Sequence, residues 1–293
     1  GSLEHTRPDG RIPLFEKSGV RPFCRAVTRA AGKGRTGMQK HRGIWLALLL
    51  ALLAAAVLAP VAAMASEPQG IPIDTVHFPD ATFRQYVKVN FDTNNDNVLS
   101  SDEIAGVTQI DVQRLGISNL TGIKYFTALT SLHCYNNQLT SLDVSDCTAL
   151  TYLDCSDNRL TSLDVSKNTE LGWLNCSENQ LRSLDVSKNT ALGSLYCSGN
   201  RLTSLDLSQN TKLNQLYCSE NQLTSLDVSK NMNLYTLACS ANQLTSLDVS
   251  KNTKLNQLYC SGNRLTSLDV SKNTARRSLY CSGNQLTSLY VSK

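Results

Sequence analysis

Leu150-Thr-Tyr-Leu153-Asp-Cys155-Ser-Asp-Asn158-Arg-Leu160-Thr-Ser-Leu163-Asp-Val165-Ser-Lys-Asn-Thr-Glu170 is a 21-residue unit, and its recurrence decides how this chain is built. Seven complete copies begin at Leu129, Leu150, Leu171, Leu192, Leu213, Leu234 and Leu255, and an eighth is cut off at Lys293. Self-similarity at a fixed period of this length predicts stacked coils that each touch only their neighbours, not one globular core. Function must then be sought on a surface.

Within the unit, Leu153 and Cys155 are two residues apart, the spacing that sends both to one face of a strand while Tyr152 and Asp154 go to the other. Leu163 and Val165 repeat that alternation, which predicts a second extended segment up the back of each coil. A coil this short has no room for a helix beside these segments and their turns, so the solenoid is expected to be β-rich. The Asn three residues after each Cys, Asn137 through Asn284, falls where the chain turns inward. Its amide can satisfy backbone groups that the turn would leave unpaired.

The pattern LxxLxCxxNxLxxLDVxxN resembles bacterial leucine-rich repeats of the short, IRREKO-type kind, with Cys in place of a strand Leu. The resemblance is close over residues 129–293 and loose over 107–128, where Val107, Ile110, Val112, Ile117, Leu120 and Ile123 resemble a degenerate first repeat. It implies a parallel sheet on the concave face and short extended segments on the convex face. It also implies an internalin-like exported protein that recognises a macromolecule.

Residues 1–37 hold eight Lys or Arg against three acids without apolar periodicity, and are read as unstructured sequence upstream of a true start at Met38. Residues 38–65 have the layout of a secretory signal: Lys40, His41 and Arg42, an apolar run from Ile44 to Leu58, then Ala63-Met64-Ala65. Cleavage is expected after Ala65; an uncleaved anchor is the alternative, and either places the repeats outside the cytoplasm. The formal charge of +4 resides in this leader: residues 66–293 carry 18 bases and 21 acids, with no basic stripe for nucleic acid. Membrane contact is expected only through the signal segment or an anchor beyond Lys293.

Residues 66–106 lack the repeat and are expected to form a small helical N-terminal cap on the 107–293 solenoid. Phe83, Tyr86, Val87 and Phe91 fall at helical spacing behind Asp80, a candidate N-cap. Next comes Asp92-Thr-Asn94-Asn-Asp96-Asn97-Val98-Leu99-Ser100-Ser-Asp-Glu103, which resembles an EF-hand calcium loop. The resemblance implies Asp92, Asn94, Asp96 and Glu103 as side-chain ligands, the carbonyl of Val98, and Ser100 directly or through water. Asn97 stands where Gly is usual. The same residues also suit an Asx-rich turn without an ion.

Eight cysteines, Cys134 through Cys281, take one inward position of successive coils and read as a column of buried thiols, with disulfide pairs or a metal ladder as alternatives. Asp143, Asp164, Asp185, Asp206, Asp227, Asp248 and Asp269 form a like-charged row on the back, expected to be offset by Ser hydroxyls and nearby Lys. On the front, the outward series His133, Asp154, Asn175, Tyr196, Tyr217, Ala238, Tyr259, Tyr280 runs beside Ser131, Tyr152, Trp173, Ser194, Gln215, Thr236, Gln257, Ser278. Tyr152, Trp173, Tyr196, Tyr217, Tyr235, Tyr259 and Tyr280 are therefore the candidate ligand-binding residues, facing a protein or a glycan. Near-identical duplication with ordinary strand propensity would give the same rings without a ligand, leaving a passive scaffold or spacer as the alternative. Arg276 replaces a core Leu, and the open last coil raises the expectation of further sequence past Lys293. No nucleophile and base are brought together by the repeat, so no enzyme is expected.

Overall fold

The computed structural model describes residues 70–291. The readings for residues 1–37 and for the signal segment 38–65 lie outside the described residues.

The first element, β1 (Gly70–Pro72), pairs antiparallel with β2 (Val98–Ser100), with Ile71 opposite Leu99. Between them runs helix α1 (Ala81–Phe91), capped as anticipated by Asp80, whose Oδ1 accepts from the N–H groups of Thr82 and Phe83. Phe83 and Val87 are fully buried and Tyr86 and Phe91 partly so, which is the apolar stripe expected of the segment. The other oxygen of Asp80 accepts from the N–H and hydroxyl of Ser118, tying the helix to the first coil. A short helix α2 (Ser101–Ala105) follows β2, and β3 (Gln109–Asp111) opens the solenoid.

Nine parallel strands then stack in the order of their coils: β3, β4 (Ser131–His133), β5 (Tyr152–Asp154), β6 (Trp173–Asn175), β7 (Ser194–Tyr196), β8 (Gln215–Tyr217), β9 (Thr236–Ala238), β10 (Gln257–Tyr259) and β12 (Ser278–Tyr280). Every step joins residues 21 or 22 apart, with Leu153 opposite Leu132 and Leu174 and so on along the sheet. The Leu and Cys columns point inward and are completely buried from Leu129 to Cys260. Nine described cysteines carry free thiols, and burial pushes those of Cys176 and Cys260 up to about 12.

On the back, strand pairing is sparser than the alternation predicts. Among the described residues only β11 (Ser267–Val270) with β13 (Ser288–Val291), and a single bridge between Asp143 and Asp164, form ladder contacts there. Elsewhere Leu163, Val165 and their equivalents still face inward, but their segments form no ladder. The Asp row on this side is held mainly by backbone: Oδ1 of Asp164 accepts from the N–H of Ser166, and Asp185 and Asp227 do likewise with Ser187 and Ser229. Those hydrogen bonds lower the carboxyl pKa values, with the nearby Lys a lesser contribution.

Two asparagine columns close the coils. In the first, Nδ2 of Asn179 donates to the carbonyls of Cys155, Cys176 and Ser177, while its Oδ1 accepts from the N–H of Leu160 at 2.9 Å. Asn200, Asn221 and Asn242 repeat this set one coil at a time. The residue before each takes a left-handed conformation, at φ 53 in Glu178 and 52 in Ala241, which swings the amide inward. The second column, Asn168 to Asn273, went unread in the sequence. Each of its amides is buried and donates to two carbonyls of the preceding coil, as Asn189 does to Val165 and Asn168.

Asn200→Ala is expected to cost at least about 2 kcal/mol of unfolding free energy, because it strands a buried N–H and several carbonyls at once. Urea denaturation followed by far-UV circular dichroism measures this. A loss below the spread of surface substitutions would show that the column does not seal the coils.

Candidate binding surface

Each front strand sends its middle residue, Ile110 in β3 and Leu in the others, into the core and its first and third residues outward. In-register pairing at one strand spacing places equivalent outward residues face to face, so neighbouring aromatic side chains must stack. His133 meets Tyr152 at 4.6 Å between ring centroids, and Tyr152 lies on Trp173 at 4.1 Å with planes 4° apart. Trp173 then touches Tyr196 at 5.3 Å, crossing from the first outward column to the third, and Tyr196 stacks on Tyr217 at 4.7 Å. A second stack pairs Tyr259 with Tyr280 at 5.0 Å and 8°.

The seven sequence-selected rings therefore do not form one row. Four of them join His133 in a five-ring stack, two form a separate pair, and Tyr235 stands apart. Tyr235 precedes β9 and leaves the sheet face at the flank, 48% exposed, because only the first and third residues of a strand face the front. The break between the stacks has an equally local cause: Ala238 takes the third position of β9 and supplies no ring. His133 belongs to the site although it was not among the selected residues. Its place in the outward series was the available signal.

The polar partners are unevenly spread. Asp154 is buried under the first stack, where it accepts from the N–H and hydroxyl of Ser156, and its proximity with burial raises the Tyr152 phenol above its ordinary pKa. Tyr196 donates its hydroxyl hydrogen to Oε1 of Gln215. Beyond Asp154 the outward positions of β6 to β10 and β12 are Trp, Asn, Ser, Tyr, Gln, Tyr, Thr, Ala, Gln, Tyr, Ser and Tyr. None of them is ionised at neutral pH.

The family described as Leucine Rich repeats (2 copies) matches residues 127–168. The 21-residue coils are leucine-rich repeats. The chain is also 43% identical over 68 residues to Internalin J of Listeria monocytogenes, a match covering 23% of this chain and 7% of that protein. An internalin structure from the same species, InlF, superposes with a TM-score of 0.61 at 24% identity, covering 76% of this chain and 78% of the other; this is a likeness of fold. The leucine-rich repeat ectodomain of an Arabidopsis thaliana receptor kinase, GASSHO1/SCHENGEN3 in complex with CASPARIAN STRIP INTEGRITY FACTOR 2, superposes at 0.57 with 26% identity, covering 63% of this chain and 25% of that one. No helix among the described residues is long and apolar enough to cross a membrane.

The loop at the head of the leucine-rich repeats is tightly wound. Asp92 is buried; its two oxygens accept from the N–H groups of Asp96 and Asn97, and Asp96 in turn accepts from the N–H of Val98. Asn94 accepts from Asp96 N–H as well, and Asn97 adopts φ 64, the left-handed conformation for which Gly is usual at this point. Glu103 faces a different set of partners. One of its oxygens accepts from the N–H and hydroxyl of Thr93, and the other from the N–H and hydroxyl of Ser100, completing a capping box on α2. Among the described residues no three His, Cys, Asp or Glu side chains converge as a metal cluster, so Asp92, Asp96 and Glu103 are not brought together. The donors themselves are the hard oxygens that calcium takes.

The Ser100 N–H, then the Thr93 hydroxyl, hold the Glu103 pKa at about 2, well below the usual carboxylate range. A depressed carboxyl pKa adds stability that is present above the unfolded value and is lost as pH falls through the folded one. Glu103 is partly exposed at the surface, so solvent screening keeps the contribution small. The thermal midpoint of Glu103→Gln is therefore expected to approach that of the parent as pH is lowered from 5 to 2, closing a modest gap seen at neutral pH. A constant gap across that window would remove the charge from the explanation.

Proposed function

We propose that this leucine-rich repeat chain is an exported, internalin-like binding module that recognises a macromolecule, protein or glycan, through its front sheet. The observation that carries this reading is the pair of aromatic stacks on outward positions, where burial in the core cannot account for the rings. Leucine-rich repeat proteins in general bind protein ligands, and stacked Tyr and Trp offer large, rigid contact area with polar tips. The stacks are also stiff, so docking a partner on them orders few additional rotamers. Export rests on the secretory layout of residues 38–65 and on the surface role that an internalin-like module performs.

The test is binding of the chain to a panel of extracellular proteins and glycans beside the triple variant Trp173→Ser, Tyr196→Ser, Tyr217→Ser. Ser and Asn already occupy equivalent positions at Ser194 and Asn175, so the variant is expected to fold. Binding reduced at least about tenfold in the variant, with an unchanged circular dichroism spectrum, supports the front sheet. Undiminished binding moves the ligand off the front stacks, and none by either protein favours a passive scaffold.

We also propose that the loop from Asp92 to Glu103 takes calcium as a structural staple of the cap. Binding would exchange the Glu103 contacts with Thr93 and Ser100 for the ion, while Asp92, Asn94, Asp96, the Val98 carbonyl and Ser100 complete the oxygen set. At a dissociation constant of ~10⁻⁴–10⁻³ M, calcium at about 10 mM stabilises by ~1.4–2.7 kcal/mol. Differential scanning calorimetry is expected to show a rise in melting temperature with calcium that Glu103→Gln loses. No rise in the parent protein would leave the loop an Asx-rich turn.

A further inference from the structure

The two aromatic stacks are in line with each other and one rung short of being continuous. Tyr217 ends the first and Tyr259 begins the second, in β8 and β10, and β9 between them presents Ala238 and Thr236. Both short residues are shaded by their taller neighbours, at 7% and 3% exposure; Gln257 leans over Thr236, so the notch lies over Ala238. Its walls are two strand spacings apart, about 9.6 Å. A ring seated midway would lie one step from each wall, the same step at which the chain's own rings stack at 4.7 and 5.0 Å.

The surroundings narrow the occupant. Beside each tyrosine wall stands a glutamine whose Oε1 is engaged within the protein, Gln215 by the Tyr196 hydroxyl and Gln257 by the Thr236 hydroxyl. Gln257 thus reaches over β9 and keeps its Nε2 hydrogens as donors beside Ala238, whereas the Gln215 amide is turned toward β7. No outward strand position from Trp173 to Tyr280 carries a charge, so the surface offers neither attraction nor a counter-ion to an ionised partner. Two flanking rings, an amide donor and an uncharged approach suit a neutral sugar: the apolar C–H faces of a pyranose meet the tyrosines and a hydroxyl accepts from Gln257. A peptide partner would bring charged side chains for which this stretch has no complement.

We infer that the notch at Ala238 is a binding subsite for one pyranose ring of an uncharged glycan, sandwiched between Tyr217 and Tyr259. This rests on the front sheet being the binding face and names the ligand class. Ala238→Tyr fills the notch with the side chain that the flanking coils already carry at the same position, so it is expected to fold with an unbroken stack.

The experiment is isothermal titration of the full chain with cellohexaose, chitohexaose, maltohexaose and yeast mannan, at low and high salt. The expected result is saturable binding to at least one of these that is insensitive to salt, weakened at least about tenfold by Ala238→Tyr and little changed by Asp206→Asn on the back. Binding by Ala238→Tyr equal to the parent overturns the subsite, as does binding to none of the four. A protein ligand lost in the triple front-sheet variant but kept by Ala238→Tyr overturns the glycan assignment while leaving the front-sheet reading in place.

Discussion

The structure depends on one constraint: every coil must present its backbone to the next at strand spacing, in the same register. A single coil buries too little to hold itself, and only contact with its neighbours seals the Leu and Cys columns. The asparagine columns make that contact obligatory. An amide such as Asn179 satisfies the N–H of Leu160 and carbonyls of two coils together, so neither coil can slide without stranding buried polar groups. The left-handed residue before each asparagine is a local strain accepted because the amide needs that direction. Gly199, Gly262 and Gly283 adopt it freely, whereas Glu178, Glu220 and Ala241 do so at a cost in backbone energy.

A stack of this kind has exposed ends, and the cap deals with the first of them. Helix α1 lays Phe83 and Val87 over the opening coil, and the Asp80 carboxylate serves the helix with one oxygen and the first coil with the other. The loop that follows is bounded by β2, whose edge is already paired with β1. That pairing makes the loop part of the cap's framework.

The same register that builds the core also imposes order on the front surface. Side chains on equivalent outward positions cannot avoid one another at this spacing, so adjacent aromatic residues become stacks worth about 0.5–1.5 kcal/mol per pair beyond their buried area. The surface is therefore rigid where rings are adjacent and recessed where one is missing. One small residue in an otherwise tall column changes the shape of the face at that coil.

The repeat length, the inward Leu and Cys, the cap helix behind Asp80 and the outward placement of the aromatic series were all legible from the sequence. They follow from short-range periodicity, and a period of two in the strands leaves no freedom over which face a residue takes. Tertiary structure decided what depends on distances between coils. It showed that Trp173 reaches across to Tyr196, that Tyr235 belongs to the flank, that Glu103 caps α2, and that the second asparagine column is buried. It also showed that most back segments form no ladder. These are matters of separation and direction in three dimensions, which a one-dimensional spacing of residues does not encode.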